Sequence, residues 1–331
     1  MRVSCSRRQF LAGALAGAAA TLLPAAGGCS TPSTKRSGSF ARVAGPADMK
    51  AFAKDGHDRK RIAALVNRSL CALGDVKKSD EFLRGLFAPS DVVAIKLNCL
   101  AGPGLSSSPG VVDALVSGLH AIGIPLRHII LFERTTAELQ RAGFAPNRGD
   151  RDAPLCLGND EGGFDRELTF SGDVGSLFAR IVTQQATALI NVPVLKDHDL
   201  SGIGCGLKNL FGLIHNPNKY HDHHCNPFVA DVANSAPVKD RLRLTVCDAL
   251  TAQFHGGPAA VRTHQWRPGQ ILAATDPVAL DRIAWSLIEE QRKAAGMKSL
   301  AEAGRKPVWI ETAASYGLGE SRRDRIRLLE S

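Results

Sequence analysis

The chain has 331 residues, 44% hydrophobic, 22% charged and 5% aromatic. These are the proportions of a globular protein of one large or two modest domains, and they exclude a disordered or fibrous one. Of the formal charge of +9, residues 1–47 carry +6 (Arg2, Arg7, Arg8, Lys35, Arg36 and Arg42, with no acid), which leaves +3 for the rest and removes the electrostatic case for binding nucleic acid.

Ser6-Arg7-Arg8-Gln9-Phe10-Leu11 reads as a twin-arginine export signal. The apolar run from Leu11 to Leu23 is too short and too weakly hydrophobic for a membrane span. Ala26-Gly27-Gly28-Cys29 offers a lipoprotein-type processing site with Ala where Leu is usual, so lipidation of Cys29 and membrane attachment stay open. Residues 30–47, rich in Ser, Thr, Gly and Pro, read as a flexible tether, and residues 48–331 as the folded body, in one lobe or two. The expected partner is the twin-arginine machinery and the expected location the periplasm. That route carries folded proteins, often with a cofactor loaded, which favours a cofactor protein. With Cys5 in the signal and Cys29 at the processing site, six cysteines remain, and none forms a C-x-x-C pair. No ferredoxin-type cluster or zinc ribbon is therefore expected. Disulfides are compatible with an oxidising compartment, but spacing does not reveal their pairing.

The body alternates helix and strand patterns. Arg59 to Leu73 aligns Ile62, Leu65, Val66 and Leu70 on one helical stripe that stops at Gly74. Val92 to Leu97 is a buried strand, Pro109 opens a helix through Leu119 behind Ser108, and His128 to Phe132 is the next strand, which makes one βαβ unit. Asn147 to Phe170 reads as a long excursion or hairpin. A helix near Leu177–Thr183, a strand at Ala188–Val194, a Gly-rich loop and a helix from Cys205 to Leu213 follow. Arg243–Cys247 and Ile271–Ala274 are strands, and Asp276-Pro277 starts a strong helix. The predicted fold is α/β: a mostly parallel sheet built from βαβ units, with helices on both faces.

Ligands of such sheets collect beyond the carboxyl ends of the strands. The strand ending at Val194 runs into Lys196-Asp197-His198-Asp199, then Ser201-Gly202-Ile203-Gly204-Cys205-Gly206-Leu207-Lys208-Asn209. Glycines there let backbone N–H groups approach a phosphate or carboxylate, and a helix start adds its positive end; the spacing is neither that of a P-loop nor G-x-G-x-x-G. Lys196, Gly202, Gly204, Gly206 and Asn209, together with Lys96 and Asn98 at the end of the first strand, are candidate cofactor contacts. His198, Lys208 and Asp248 are candidate catalytic groups. His215 and the run His221-Asp222-His223-His224-Cys225 concentrate imidazole and thiol on a Pro-bracketed loop, which makes His221, His223, His224 and Cys225 candidate ligands for a transition metal. A solvated His-rich turn and a Cys205–Cys225 disulfide are the alternatives.

Val93-Ala94-Ile95-Lys96-Leu97-Asn98, Ser108-Pro109, Lys196 through Lys208-Asn209-Leu210-Phe211-Gly212, His221 and Asp276 through Asp281 resemble the domain-of-unknown-function family numbered 362. That resemblance implies a fold and a site, and no reaction. His198, Lys208 and His224 are also similar in order to the site of the nickel-pincer lactate racemases. It implies that Lys208 holds a metal-bearing nucleotide cofactor, His198 transfers protons and His224 ligates metal. Glu133-Arg134-Thr135 stands where those racemases have a catalytic His, so the likeness implies a related site and not racemase activity. The expected function is an exported, metal- or cofactor-dependent isomerase or oxidoreductase acting on a small anionic substrate. The alternative is a non-catalytic periplasmic metal-binding lipoprotein.

Overall fold

The computed structural model describes residues 40–53 and 56–330. The export signal, Cys29 and the first part of the expected tether lie outside them. Residues Phe40–Ser331 form one compact unit.

Nine strands carry the main sheet: β1 Ala41–Ala44, β2 Val93–Lys96, β3 Ile129–Glu133, β4 Leu155–Gly158, β5 Ala188–Asn191, β6 Val194–His198, β7 Leu242–Gln253, β8 Gln270–Ala274 and β9 Ile326–Leu329. Eight of them follow the order β9-β1-β8-β7-β5-β2-β3-β4, β6 lies off this path and pairs with β7, and two short strands pair with β6 and with β7. Strands β7, β5, β2, β3 and β4 are mutually parallel, whereas β8 runs antiparallel to both β7 and β1. The sheet is thus mostly parallel, as the alternating pattern implies.

Its strands are buried on both sides. Val93 and Ile95 of β2 join one core with Ile129 and Leu131 of β3, while Ala94 and Phe132 join the other. The first core is closed by helices α1, Arg59–Gly74, and α2, Pro109–Ala121. The second is closed by Phe228–Asn234, Trp309–Ser315 and the long helix Pro277–Ala294. Two long helices start at an aspartate cap: Asp58 accepts from the N–H groups of Lys60 and Arg61, and Asp276 accepts from Ala279 N at 2.8 Å, whereas Ser108, the cap expected for α2, makes no side-chain cap and turns its hydroxyl to Asp248.

Three expectations need correction. The tether does not extend to residue 47: β1 sits between β9 and β8, with Val43 and Ala44 fully buried. A four-residue strand among Ser, Gly and Pro has too little periodicity to stand out. The helix expected near Leu177–Thr183 starts later and is a single π turn at Ile181–Gln185, because Leu177–Ala179 is extended and paired with the chain near Ile214 (His215 N to Leu177 O, 2.9 Å; Ala179 N to Leu213 O, 2.8 Å). The 147–170 excursion supplies β4, the edge strand.

One break positions the site. Pro193, with no N–H to offer, separates β5 from β6. β5 pairs with the lower half of β7 (Thr245↔Asn191) and β6 with its upper half (Lys196↔Gln253), so β6 continues the sheet past the carboxyl end of β5.

Candidate functional site

A cleft of about 240 Å³ opens over the carboxyl ends of β2, β3 and β6, where open α/β sheets place their ligands. Seven residues singled out from sequence line it: Asn98, Lys196, His198, Gly204, Lys208, Asn209 and His221.

Its floor is a relay of side-chain amides. Lys196 Nζ donates to Asn98 Oδ1 at 2.7 Å, Asn98 Nδ2 to Asn209 Oδ1 at 2.9 Å, Asn209 Nδ2 to Asn191 Oδ1 at 2.8 Å, and Asn191 Nδ2 to Gly206 O at 2.8 Å. Each amide is thereby fixed in orientation, and β2, β5 and β6 are tied to the one-turn helix α3, Gly206–Asn209. Burial lowers the Lys196 ammonium to about 8, against the pull of Glu133.

Lys208 projects from α3 into the cleft, its Nζ 4.0 Å from the centre of the Phe211 ring and 3.2 Å from His221 Nε2. Burial also lowers it to about 8. Among the described residues neither Lys196 nor Lys208 has a carboxylate partner. His221 Nδ1 faces the carbonyls of Pro217 and Asn218 at 3.1 and 3.3 Å, so it carries the ring proton and leaves the Nε2 lone pair for Lys208.

His198 stacks on His221, ring centres 5.7 Å apart, with the opposite tautomer. The backbone N–H groups of Leu200 and Ser201 donate to its Nδ1 at 3.2 and 3.3 Å, which places the ring proton on Nε2. Burial and the neighbouring Lys208 lower its pKa to about 2. The contact of Nδ1 with Asp199 Oδ1 at 3.2 Å is therefore no ion pair. The expectation that His198 acts as a base near neutral pH is corrected: its basic nitrogen is occupied, and what it offers is an N–H. Behind it, buried Asp197 is held by Arg305 Nη1 at 3.1 Å and Gly257 N at 2.8 Å.

Other candidates are spent on structure. Lys96 is sealed beneath the cleft, its Nζ 2.6 Å from Glu133 Oε1 and 2.5 Å from Leu97 O. Asp248 accepts from Ser108 N and Oγ at 2.8 and 2.6 Å and from Leu250 N at 3.0 Å, anchoring the start of α2. Gly202, at φ +79°, turns against Arg305, whose carbonyl would lie 2.2 Å from a Cβ there. Gly206 is excluded from ligand contact because the start of α3 is already capped: Asp281 Oδ2 accepts from Leu207 N at 2.8 Å, and a Cβ on Gly206 would lie 2.5 Å from both carboxylate oxygens.

The proposed metal set does not converge. His223, His224 and Cys225 form a left-handed turn (φ 50°, 57° and 62°) that points the exposed imidazoles outward. His224 Nδ1 faces Leu200 O at 3.1 Å, and the Cys225 thiol is buried. Among the described residues no group of three or more His, Cys, Asp or Glu side chains is placed to hold a metal. Sequence reasoning missed Arg134 and Glu133, which line the cleft at the end of β3; a charged pair straight after a buried strand was the available signal. Arg134 is ion-paired with Glu138.

The domain-of-unknown-function family DUF362 matches residues 93–286, the stretch that supplies every side chain lining the cleft. The chain belongs to the DUF362 family. A twin-arginine translocation signal matches residues 4–24, so this DUF362 protein is exported through the twin-arginine machinery. Among its described residues no helix is long and apolar enough to cross a membrane. No curated protein matches the sequence. A crystal structure of a Thermotoga maritima protein from a structural genomics consortium is similar at 9% identity and a TM-score of 0.43, over 72% of this chain and 59% of that one.

Proposed function

We propose that this DUF362 protein is an exported enzyme that moves a proton on a small anionic substrate, an isomerase-type reaction carried by Lys208 and His221. The observation that supports it is the contact of Lys208 Nζ with His221 Nε2 at 3.2 Å, in a cleft holding a second lysine without a carboxylate partner among the described residues. Lys196 attracts the anionic group of the substrate. A lysine lowered to about 8 supplies neutral amine near physiological pH, and His221 receives or returns its proton. The Nε2–H of His198 is a neutral donor for the oxygen on which charge develops when a proton leaves the adjacent carbon. Among the described residues the 221–225 loop brings no three metal-ligating side chains together, and this chemistry uses the chain's own groups.

The test is hydrogen exchange. The full-length protein is incubated in D2O with a panel of small 2-hydroxy, 2-amino and 2-oxo acids, and loss of the C2 or C3 proton is followed by NMR. The expected result is enzyme-dependent exchange with at least one acid, rising with pH through about 8 as Lys208 gives up its proton. Lys208→Met and His221→Gln should each lower it by about 10²-fold or more with the melting temperature kept. No exchange with any acid, or exchange indifferent to both substitutions, refutes the reading.

A further inference from the structure

Cys205 and Cys247 are the described cysteines whose sulfurs touch. Their Sγ atoms lie 3.3 Å apart, 42 residues apart in sequence, and both side chains are fully buried. Cys205 immediately precedes α3, which carries Lys208, and Cys247 sits on β7 beside Asp248. All six described cysteines are unbridged in the structure, and the Cys225 sulfur meets the His221 carbonyl at 4.0 Å. The Cys205–Cys225 bridge entertained from sequence is therefore not the pairing the fold offers.

We infer that Cys205 and Cys247 are a disulfide site, oxidised once the protein has left the cytosol. Three observations support it. The two sulfurs already face each other and need to close by only about 1.3 Å to reach bonding distance. The twin-arginine signal takes the chain out of the reducing cytosol. The bond would also fasten the start of α3, which carries Lys208, to the central strand β7. The chemistry balances by exchange with a disulfide oxidant, a small molecule or a thiol oxidoreductase. One cysteine, as thiolate, attacks a sulfur of the oxidant, forms a mixed disulfide and expels one thiol. The second cysteine then attacks the mixed disulfide and expels the other. Two electrons and two protons pass from the cysteines to the oxidant. Because both sulfurs are buried, exchange requires an opening of the chain around them.

The experiment is residue-resolved thiol labelling of the full chain. Protein from the exported fraction, and protein made in the cytosol then equilibrated with oxidised glutathione in mild urea, are denatured with an alkylating reagent, with or without prior reduction, and mapped by peptide mass. The expected result in both preparations is that Cys205 and Cys247 stay unlabelled until reduced and appear as one cross-linked peptide, while Cys71, Cys99, Cys156 and Cys225 label throughout. In Cys247→Ser, Cys205 should label without reduction; the wild-type map decides if that variant fails to fold. Direct labelling of both cysteines in the exported fraction, or a cross-link joining either to another cysteine, overturns the proposal.

Discussion

His198 shows how a single side chain takes its role from its backbone. Two N–H groups converge on Nδ1, the ring is buried beside Lys208, and its pKa is lowered to about 2. The unfolded chain binds a proton on this ring below about pH 6.5 and the folded chain does not, so this group removes stability as the pH falls below that value. Between pH 6.5 and 4.5 the effect is about 2.5 kcal/mol. His198→Asn keeps an acceptor near the Nδ1 position and removes the titration. Its thermal midpoint should therefore fall less than the wild type's between those two pH values, as calorimetry at both would measure; an equal fall contradicts the assignment. His198, Lys208 and His221 were legible as candidates, because imidazoles and a lysine cluster beside a Gly-rich turn, and all three line the cleft. Their tautomers were not legible, because backbone groups set them: Leu200 and Ser201 for one ring, Pro217 and Asn218 for the other.

At the scale of an element, α3 is one turn long and depends on a residue 74 positions away. Burial raises the Asp281 carboxyl to about 8, so at neutral pH it caps Leu207 N largely as a neutral acid. Its folded pKa lies above the ordinary 3.8; the folded state binds the extra proton, and this group's contribution to stability is lost as pH rises from about 4 to about 8. Asp281→Asn keeps the accepting oxygen without the ionisation, and should match or exceed the wild type at pH 7 and flatten that decline. Asp281→Leu leaves Leu207 N without its cap and should lose about 1–2 kcal/mol. Urea unfolding at pH 5 and pH 8 measures both, and an Asn variant as damaged as the Leu variant would show that the charge is required. The sequence announced a glycine-rich helix start, for which an external anion is the usual reading. That the protein fills the position with its own carboxyl is a fact of packing between α3 and the Pro277–Ala294 helix, which no local pattern carries.

Across the whole molecule, β1 turns two distant ends of the chain into one sheet. It pairs in parallel with β9 at four positions, Ala41↔Ile326 through Ala44↔Leu329, and meets β8 at Ala44↔Ala273. A chain beginning at Phe40 should therefore fold like the mature protein. One beginning at Asp48 loses a buried interior strand, a cost of about 3–5 kcal/mol, which at about 2–4 °C per kcal/mol for a chain of this size lowers the melting midpoint by about 6–20 °C. Equal midpoints by differential scanning calorimetry would mean that β1 is dispensable.

The sequence by itself determined the export signal, the α/β class, the βαβ unit around Val93–Phe132 and the segments that carry the candidate chemistry, because charge pattern, hydrophobic period and capping residues act over a few neighbouring positions. Tertiary structure alone decided which polar residues face the cleft and which are spent beneath it. Lys96 ends β2 and Lys196 lies within β6, yet one is neutralised by Glu133 and the other opens into the site. Ion pairs, tautomers and sulfur neighbours depend on distances between segments tens of residues apart, and only the folded sheet fixes those.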